Sequence, residues 1–185
     1  SELKKLETEY PDLVRQDSPT QRVYGEALDK FKKVEHKYPM ISLNDVFSIE
    51  DVEAWVKRMD KLLPGVKHEY FCDTKKDGLA CALIYQDGLL TQAVTRGDSK
   101  VGEDVTRNVR TINNVPLSLR RDAKNKQFLQ GRTEIRGEIV MLKSDFKKLN
   151  DKREAEGKPL FANPRNLSAG TIRQLDPKLV AERPL

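Results

Sequence analysis

The densest concentration of charge beside apolar sequence runs from Tyr70 to Gly78, through Cys72, Asp73, Lys75 and Asp77. In an extended chain Asp73, Lys75 and Asp77 point the same way, which holds a lysine between two carboxylates. A lysine amine attacks an electrophile once enough of it is neutral, a state that desolvation or nearby positive charge favours. Two flanking carboxylates favour the charged ammonium instead. These residues leave Lys75 open to both readings, an ion-paired structural lysine or a nucleophile, and a lone Lys-x-Asp-Gly decides nothing.

Three further sets of side chains suit phosphate chemistry. Arg96, in Thr95-Arg96-Gly97-Asp98, follows a predicted strand directly, where a guanidinium at a sheet edge could grip phosphate through two parallel bonds. Glu134, Arg136 and Glu138 alternate along another strand and share a face; a cross-strand salt bridge is the plainer alternative. Arg165 and Arg173 are eight residues apart, about 80° around a helix axis, with Ala169 and Gly170 leaving the surface between them open. Such a face suits a phosphate chain, or simply water. Cys72 and Cys81 stand nine apart, and His36 and His68 are scattered, so these residues build neither a zinc site nor a disulfide framework.

The elements that must position these groups follow from periodicity and punctuation. The spacing predicts a charged helix over residues 1–9 stopped by Pro11, and a second from a turn at Asp17-Ser18-Pro19-Thr20 to about His36. Ser48 opens a third, with Ile49, Val52, Trp55, Val56, Met59, Leu62 and Leu63 at helical spacing up to Pro64-Gly65. Strands are predicted at Glu69 to Thr74, Leu79 to Tyr85, Leu89 to Thr95 and Thr133 to Met141. The second and third are joined by a tight turn at Asp87-Gly88. Leu79 to Tyr85 is apolar on both faces, as a central strand requires. Short helical sequence near Glu103 to Val109 and helices at Ser144 to Glu156 and Asn163 to Gln174 complete an α+β pattern with a mostly antiparallel sheet.

Composition narrows the classes. Hydrophobic residues make up 37% and charged residues 34% of the 185, a foldable balance with a net charge of +5 that is compatible with a polyanionic partner. No window approaches eighteen consecutive apolar residues and the start has no apolar h-region, so the expectation is a cytoplasmic, monomeric protein without membrane contact.

Taken together, the segments carry a resemblance. Residues 72–80, Cys-Asp-Thr-Lys-Lys-Asp-Gly-Leu-Ala, resemble the nucleotidyl-transfer motif Cys-Glu-x-Lys-x-Asp-Gly-x-Ala of bacterial NAD-dependent DNA ligases. Residues 17–23, 39–43, 95–98, 102–112, 136–138, 161–166 and 172–177 resemble further segments of that family, in its order. The resemblance implies a nucleotidyltransferase fold that uses NAD, with Mg2+ or Mn2+, on nicked double-stranded DNA in replication and repair. It implies that Lys75 attacks the α-phosphate of NAD to form lysyl-AMP, with Asp77 beside it as the second catalytic residue. Ser42, Leu43 and Asp73 fall where the family holds adenine, and Arg96 and Glu138 where it holds the ribose and positions the nucleotide. Arg165 and Arg173 match arginines tied to phosphate and nick recognition. Asp73 departs from the usual Glu by one methylene.

The same resemblance implies a fragment. Residues 1–22 match the tail of an N-terminal helical subdomain and its linker, and 23–185 the first part of an adenylation domain. The nicotinamide-binding segment, the downstream lysine motifs and a zinc module are expected outside the chain. An ATP-dependent ligase or capping-type enzyme, and a non-catalytic nucleic-acid-binding module, are the alternatives. Losing orientation of the leaving group and charge stabilisation together costs many orders of magnitude in rate. The isolated chain, mixed with NAD and magnesium, is therefore expected to show no AMP on Lys75 by peptide mass spectrometry. Stoichiometric adduct would show the outlying segments to be dispensable.

Overall fold

Leu79 begins a run of small and branched residues without a polar face, and the sheet is organised around it. The computed structural model describes residues 2–23, 28–122 and 124–185. Its elements are α1 (Glu2–Glu9), β1 (Lys33–Glu35), α2 (Ile49–Leu62), β2 (Leu79–Gln86), β3 (Leu89–Thr95), β4 (Val101–Glu103), α3 (Thr106–Val109), β5 (Arg132–Ile139), α4 (Lys143–Ala155), α5 (Pro164–Ile172) and α6 (Pro177–Ala181). Strand β2 lies between β3 and β5, antiparallel to both, as its apolar faces predict. The β2–β3 turn uses Asp87 (φ +51°) and Gly88 (φ +81°), the paired positive φ values whose twist matches a hairpin. Mixed helices and antiparallel strands make the α+β class an observation.

Residues 1–39 and 76–185 form one compact unit and residues 40–75 another. In the first, Cys81 and Ala93 of the sheet pack with Val105, Val109, Ile172 and Val180 from the helical side. Burial pushes the Cys81 thiol up to about 12, which keeps it a protonated packing group. Two arginines secure the chain near residues 16–22. Arg22 donates to the carbonyls of Arg110, Ile112 and Val115 at 3.1, 2.9 and 3.2 Å, and Arg110 donates to that of Gln16 at 2.6 Å. Each satisfies backbone acceptors that a loop cannot pair by itself. In the second unit Ser48 caps α2 by accepting from the Asp51 amide at 3.1 Å, and Trp55 packs against Tyr70 with the rings tilted by 55° and their centroids 5.3 Å apart.

Several sequence expectations give way to tertiary pairing. The helix expected up to His36 is a single 3-10 turn at Pro19–Gln21, and its far end is strand β1, paired with β4; residues 24–27 lie outside the described residues. The helical sequence near Glu103 splits into β4 and one turn, α3, where Asp104 accepts from the Thr106 amide at 3.0 Å. No strand forms at Glu69 to Thr74. A strand needs a partner to satisfy its backbone groups, and that stretch has none among the described residues. Glu134 does not reach across the sheet either: it pairs with Arg132 (2.6 Å) and Arg136 (2.8 Å) on its own strand.

Arg136 continues that chain by donating to the carbonyls of Tyr38 and Pro39 at 2.6 and 2.9 Å. Burial pushes the Glu134 carboxyl up, but its two arginines more than offset this and hold it below the ordinary carboxylate value. A depressed folded-state value contributes stability above the unfolded value that is lost as pH falls through the folded one. Glu134→Gln is expected to melt below wild type near neutral pH, and the gap should narrow from about pH 5 to about pH 3. A gap that stays constant with pH would show that charge on Glu134 contributes nothing.

Glycine placement gives a second check. A Cβ at Gly78 would lie 2.1 Å from the Ile139 carbonyl oxygen, whereas one at Gly170 would meet nothing within 4 Å. Gly78→Ala should cost about 1–3 kcal/mol, some 2–12 °C in Tm. Gly170→Ala, inside α5, should be neutral or stabilising by up to about 1 kcal/mol. Equal shifts in the two melting curves would contradict this packing.

Candidate active site

Strand register brings two of the expected residues to one end of the sheet. Ala80 of β2 pairs with Glu138 of β5, and the Ala80 carbonyl accepts from the Arg96 amide at 3.1 Å. The ladder thus places Glu138 and Arg96 on either side of β2. Just before β2, the Gly78 amide donates to Glu138 Oε1 at 3.0 Å, so this carboxylate is oriented by backbone. The close approach at Gly78 permits that bond, since a side chain there would collide with the Ile139 carbonyl.

Arg96 begins a stiff turn. Gly97 takes φ +58°, and Asp98 Oδ1 accepts from the amides of Lys100 and Val101 at 3.0 and 2.7 Å. The amides of Val101 and then Lys100 hold the Asp98 carboxyl below the ordinary carboxylate value. The Arg96 guanidinium is exposed, while its carbonyl and that of Thr95 lie 3.3 and 3.1 Å from His36 Nε2.

Helix α5 supplies the two arginines. Asn163 caps it, accepting from the Asn166 amide at 2.8 Å, and Asn108 ties down its far end by donating to the carbonyls of Ile172 and Gln174 at 2.6 and 2.7 Å. Arg165 Nη1 reaches Asp77 Oδ1 at 3.0 Å, with both side chains more than half exposed. Such a pair contributes at most about 1 kcal/mol, so an arriving phosphate can displace it. Arg173 sits just past the helix end, as its cap residue, and is bound instead to Glu103 at 3.0 Å. The shared helical face therefore serves two different carboxylates.

The other expected residues stand in the 40–75 unit. Ser42 and Leu43 are exposed on irregular chain before α2; Asp73 and Lys75 are exposed on irregular chain after it. Asp73 accepts from the neighbouring Thr74 amide at 2.7 Å. No hydrogen bond or ion pair links these four to one another among the described residues. The strand geometry that aligned Asp73, Lys75 and Asp77 is absent. Sequence reasoning missed Glu103, His36 and the Asp98 clamp. Only the Asx-type turn at Asp98 has a local signal; the contacts of the other two span 59 to 70 residues.

Among the described residues no three His, Cys, Asp or Glu side chains stand together so as to hold a metal ion. No described helix is long and apolar enough to cross a membrane.

Comparison with known proteins gives the family. A model of the NAD-dependent DNA ligase adenylation domain matches residues 28–185, and one of the DNA ligase-like N-terminal NAD+-binding domain matches residues 1–25. A DNA ligase of Acinetobacter baumannii (strain AYE) is 50% identical over 184 residues, covering 100% of this chain. One of Myxococcus xanthus is 50% identical over 188 residues, and one of Acetivibrio thermocellus 49% over 184, each again covering the whole chain. The chain spans about a quarter of the length of these curated relatives, 27%, 27% and 26% respectively. With ordered similarity running from end to end, the chain belongs to the NAD-dependent DNA ligase adenylation domain family.

Proposed function

We propose that this chain carries the nucleotidyl-transfer centre of an NAD-dependent DNA ligase, with Lys75 as the nucleophile. The observation that carries the reading is the segment Cys72 to Ala80, set in a chain half identical to DNA ligases throughout its length. Residues 1–22 belong on this reading to the end of the N-terminal domain and 23–185 to the adenylation domain.

Neutral Lys75 Nζ attacks the α-phosphorus of NAD, which is consumed as a substrate. An N–P bond forms, the P–O bond to nicotinamide mononucleotide breaks, and the amine proton leaves to solvent. The 5′-phosphate of nicked DNA then takes the AMP from Lys75, and the 3′-hydroxyl displaces AMP to seal the strand. Such transfers depend on positioning and on stabilising charge at the phosphoryl oxygens. Ser42, Leu43 and Asp73 hold adenine, Arg96 and Glu138 orient the ribose and nucleotide, and Asp77 acts beside the lysine. The backbone-held Glu138 carboxylate and the stiff Arg96 turn support those two roles, because preorganised groups lose little freedom on binding. Arg165 and Arg173 engage DNA phosphates. Magnesium or manganese accompanies the substrate phosphates, and the seal serves replication and repair.

Lys75 is exposed, so its truncation opens no core cavity. In the complete parent protein, Lys75→Ala should melt within about 0.5 kcal/mol of wild type yet lose self-adenylation by at least about 10³-fold. Intact-mass spectrometry after incubation with NAD and magnesium reads the adduct. An AMP adduct on the variant would refute the assignment, and Lys75→Arg, which keeps the charge but is a poor nucleophile, separates loss of the amine from loss of charge.

A further inference from the structure

Arg173 is held in an unusual way for a residue at a helix end. Its Nε lies 3.0 Å from Glu103 Oε2 and its Nη2 3.3 Å from Glu103 Oε1, a side-on pairing that uses one edge of the guanidinium. The fork formed by Nη1 and the second Nη2 hydrogen has the geometry that matches a phosphate. Arg173 remains 59% exposed although one edge is occupied.

Glu103 is itself fixed. Only 16% of its side chain is exposed, and Lys33 Nζ reaches its Oε1 at 3.1 Å from the facing position of β1. Its amide donates to Thr95 Oγ1 at 3.0 Å, and Gly102 before it packs so closely on the Thr95 carbonyl that a Cβ there would lie 1.8 Å away. Burial pushes the Glu103 carboxyl up, but Lys33 and Arg173 more than offset this and keep it ionised near neutral pH. A cleft of about 470 Å³ opens beside Arg173, with Lys30 as a second cation, Phe31 and Leu175 as apolar surface, and Gly170 leaving one wall bare. That pairing of cations with apolar surface fits the phosphates and deoxyribose of a nucleic acid strand.

We propose that Glu103 is a positioning residue, which grips the inner edge of Arg173 so that the outer edge meets a backbone phosphate of nicked duplex in this cleft. The inference rests on the functional reading above and adds a residue to it. A long arginine at a helix end loses much freedom on gripping phosphate, and an arginine already ordered by Glu103 loses less. Simple charge counting gives the opposite expectation, since Glu103→Gln makes the protein more basic and should tighten DNA binding.

The two expectations differ in sign, which makes the test decisive. In the complete parent protein acting on nicked duplex DNA, Glu103→Gln should raise the DNA KM by about tenfold with kcat within about twofold, and flatten the salt slope of binding by about 1. Arg173→Ala should do the same. The double variant should be no worse than Arg173→Ala, because both remove one contact. Glu103→Asp, which keeps the charge, should recover part of the loss, and Glu156→Gln, at a surface pair with Lys158, is the charge-matched control. Tighter binding by Glu103→Gln, or strictly multiplicative losses in the double variant, would overturn the positioning role. If Arg173→Ala matters and Glu103→Gln does not, only this inference falls; if the wild-type parent does not seal nicks, the functional reading falls and this inference with it.

Discussion

Everything near the candidate centre in the larger unit depends on β2 being hydrogen-bonded along both edges and packed on both faces. A shift of one residue would exchange the differently sized side chains on its two faces and re-pair two ladders at once, so its register is held from both edges. Its register therefore fixes where its neighbours end. β3 ends so that Arg96 emerges beside Ala80, β5 so that Glu138 lies opposite the same residue, and the chain enters β2 through Asp77 and Gly78. Gly78 closes the arrangement, because only a residue without a side chain can lie against the Ile139 carbonyl and still direct its amide at Glu138.

Charge is distributed according to how firmly each group must be held. The Asp77–Arg165 pair is exposed on both sides and therefore easily exchanged for another partner. Glu103 and Glu134 are mostly covered, and each is shared between two cations, so removing either acid would strand like charges side by side. Arg22 and Arg110 are held differently, by backbone carbonyls. The exposed Arg96 opens a turn that the amides of Lys100 and Val101 stiffen by donating to Asp98.

How much of this could be read from the sequence follows from how local each signal is. The β2–β3 hairpin was legible because a doubly apolar run, an Asp-Gly pair and a second apolar run are contiguous. The caps at Ser48 and Asn163 were legible for the same reason, each acceptor lying three residues from its amide. Strands β1 and β4 were not, since two three-residue segments acquire strand character only from each other, across 66 to 70 positions in the register Lys33↔Glu103 to Glu35↔Val101. Glu69 to Thr74 shows the converse error: a good strand composition without a partner stays irregular. At the site, residue types suggested phosphate chemistry, but only the ordered resemblance assigned roles to Lys75, Asp73 and Ser42. No composition or spacing could have shown that Arg173 is committed to Glu103.

The proposed nucleophile stands where the chain changes character. Lys75 is exposed and outside any regular element, yet Asp77 is two residues on and Gly78 is locked into the sheet. Three residues of extended chain span at most about 11 Å, so the lysine backbone is tethered within that reach of Gly78 while its long side chain keeps its freedom. A nucleophile that must first meet a dinucleotide and then pass its burden to a DNA end gains from such a tether. Burying it, as Cys81 is buried, would fix its position but leave it inaccessible to either substrate. The rigid sheet supplies the precision, and the short free segment supplies the access.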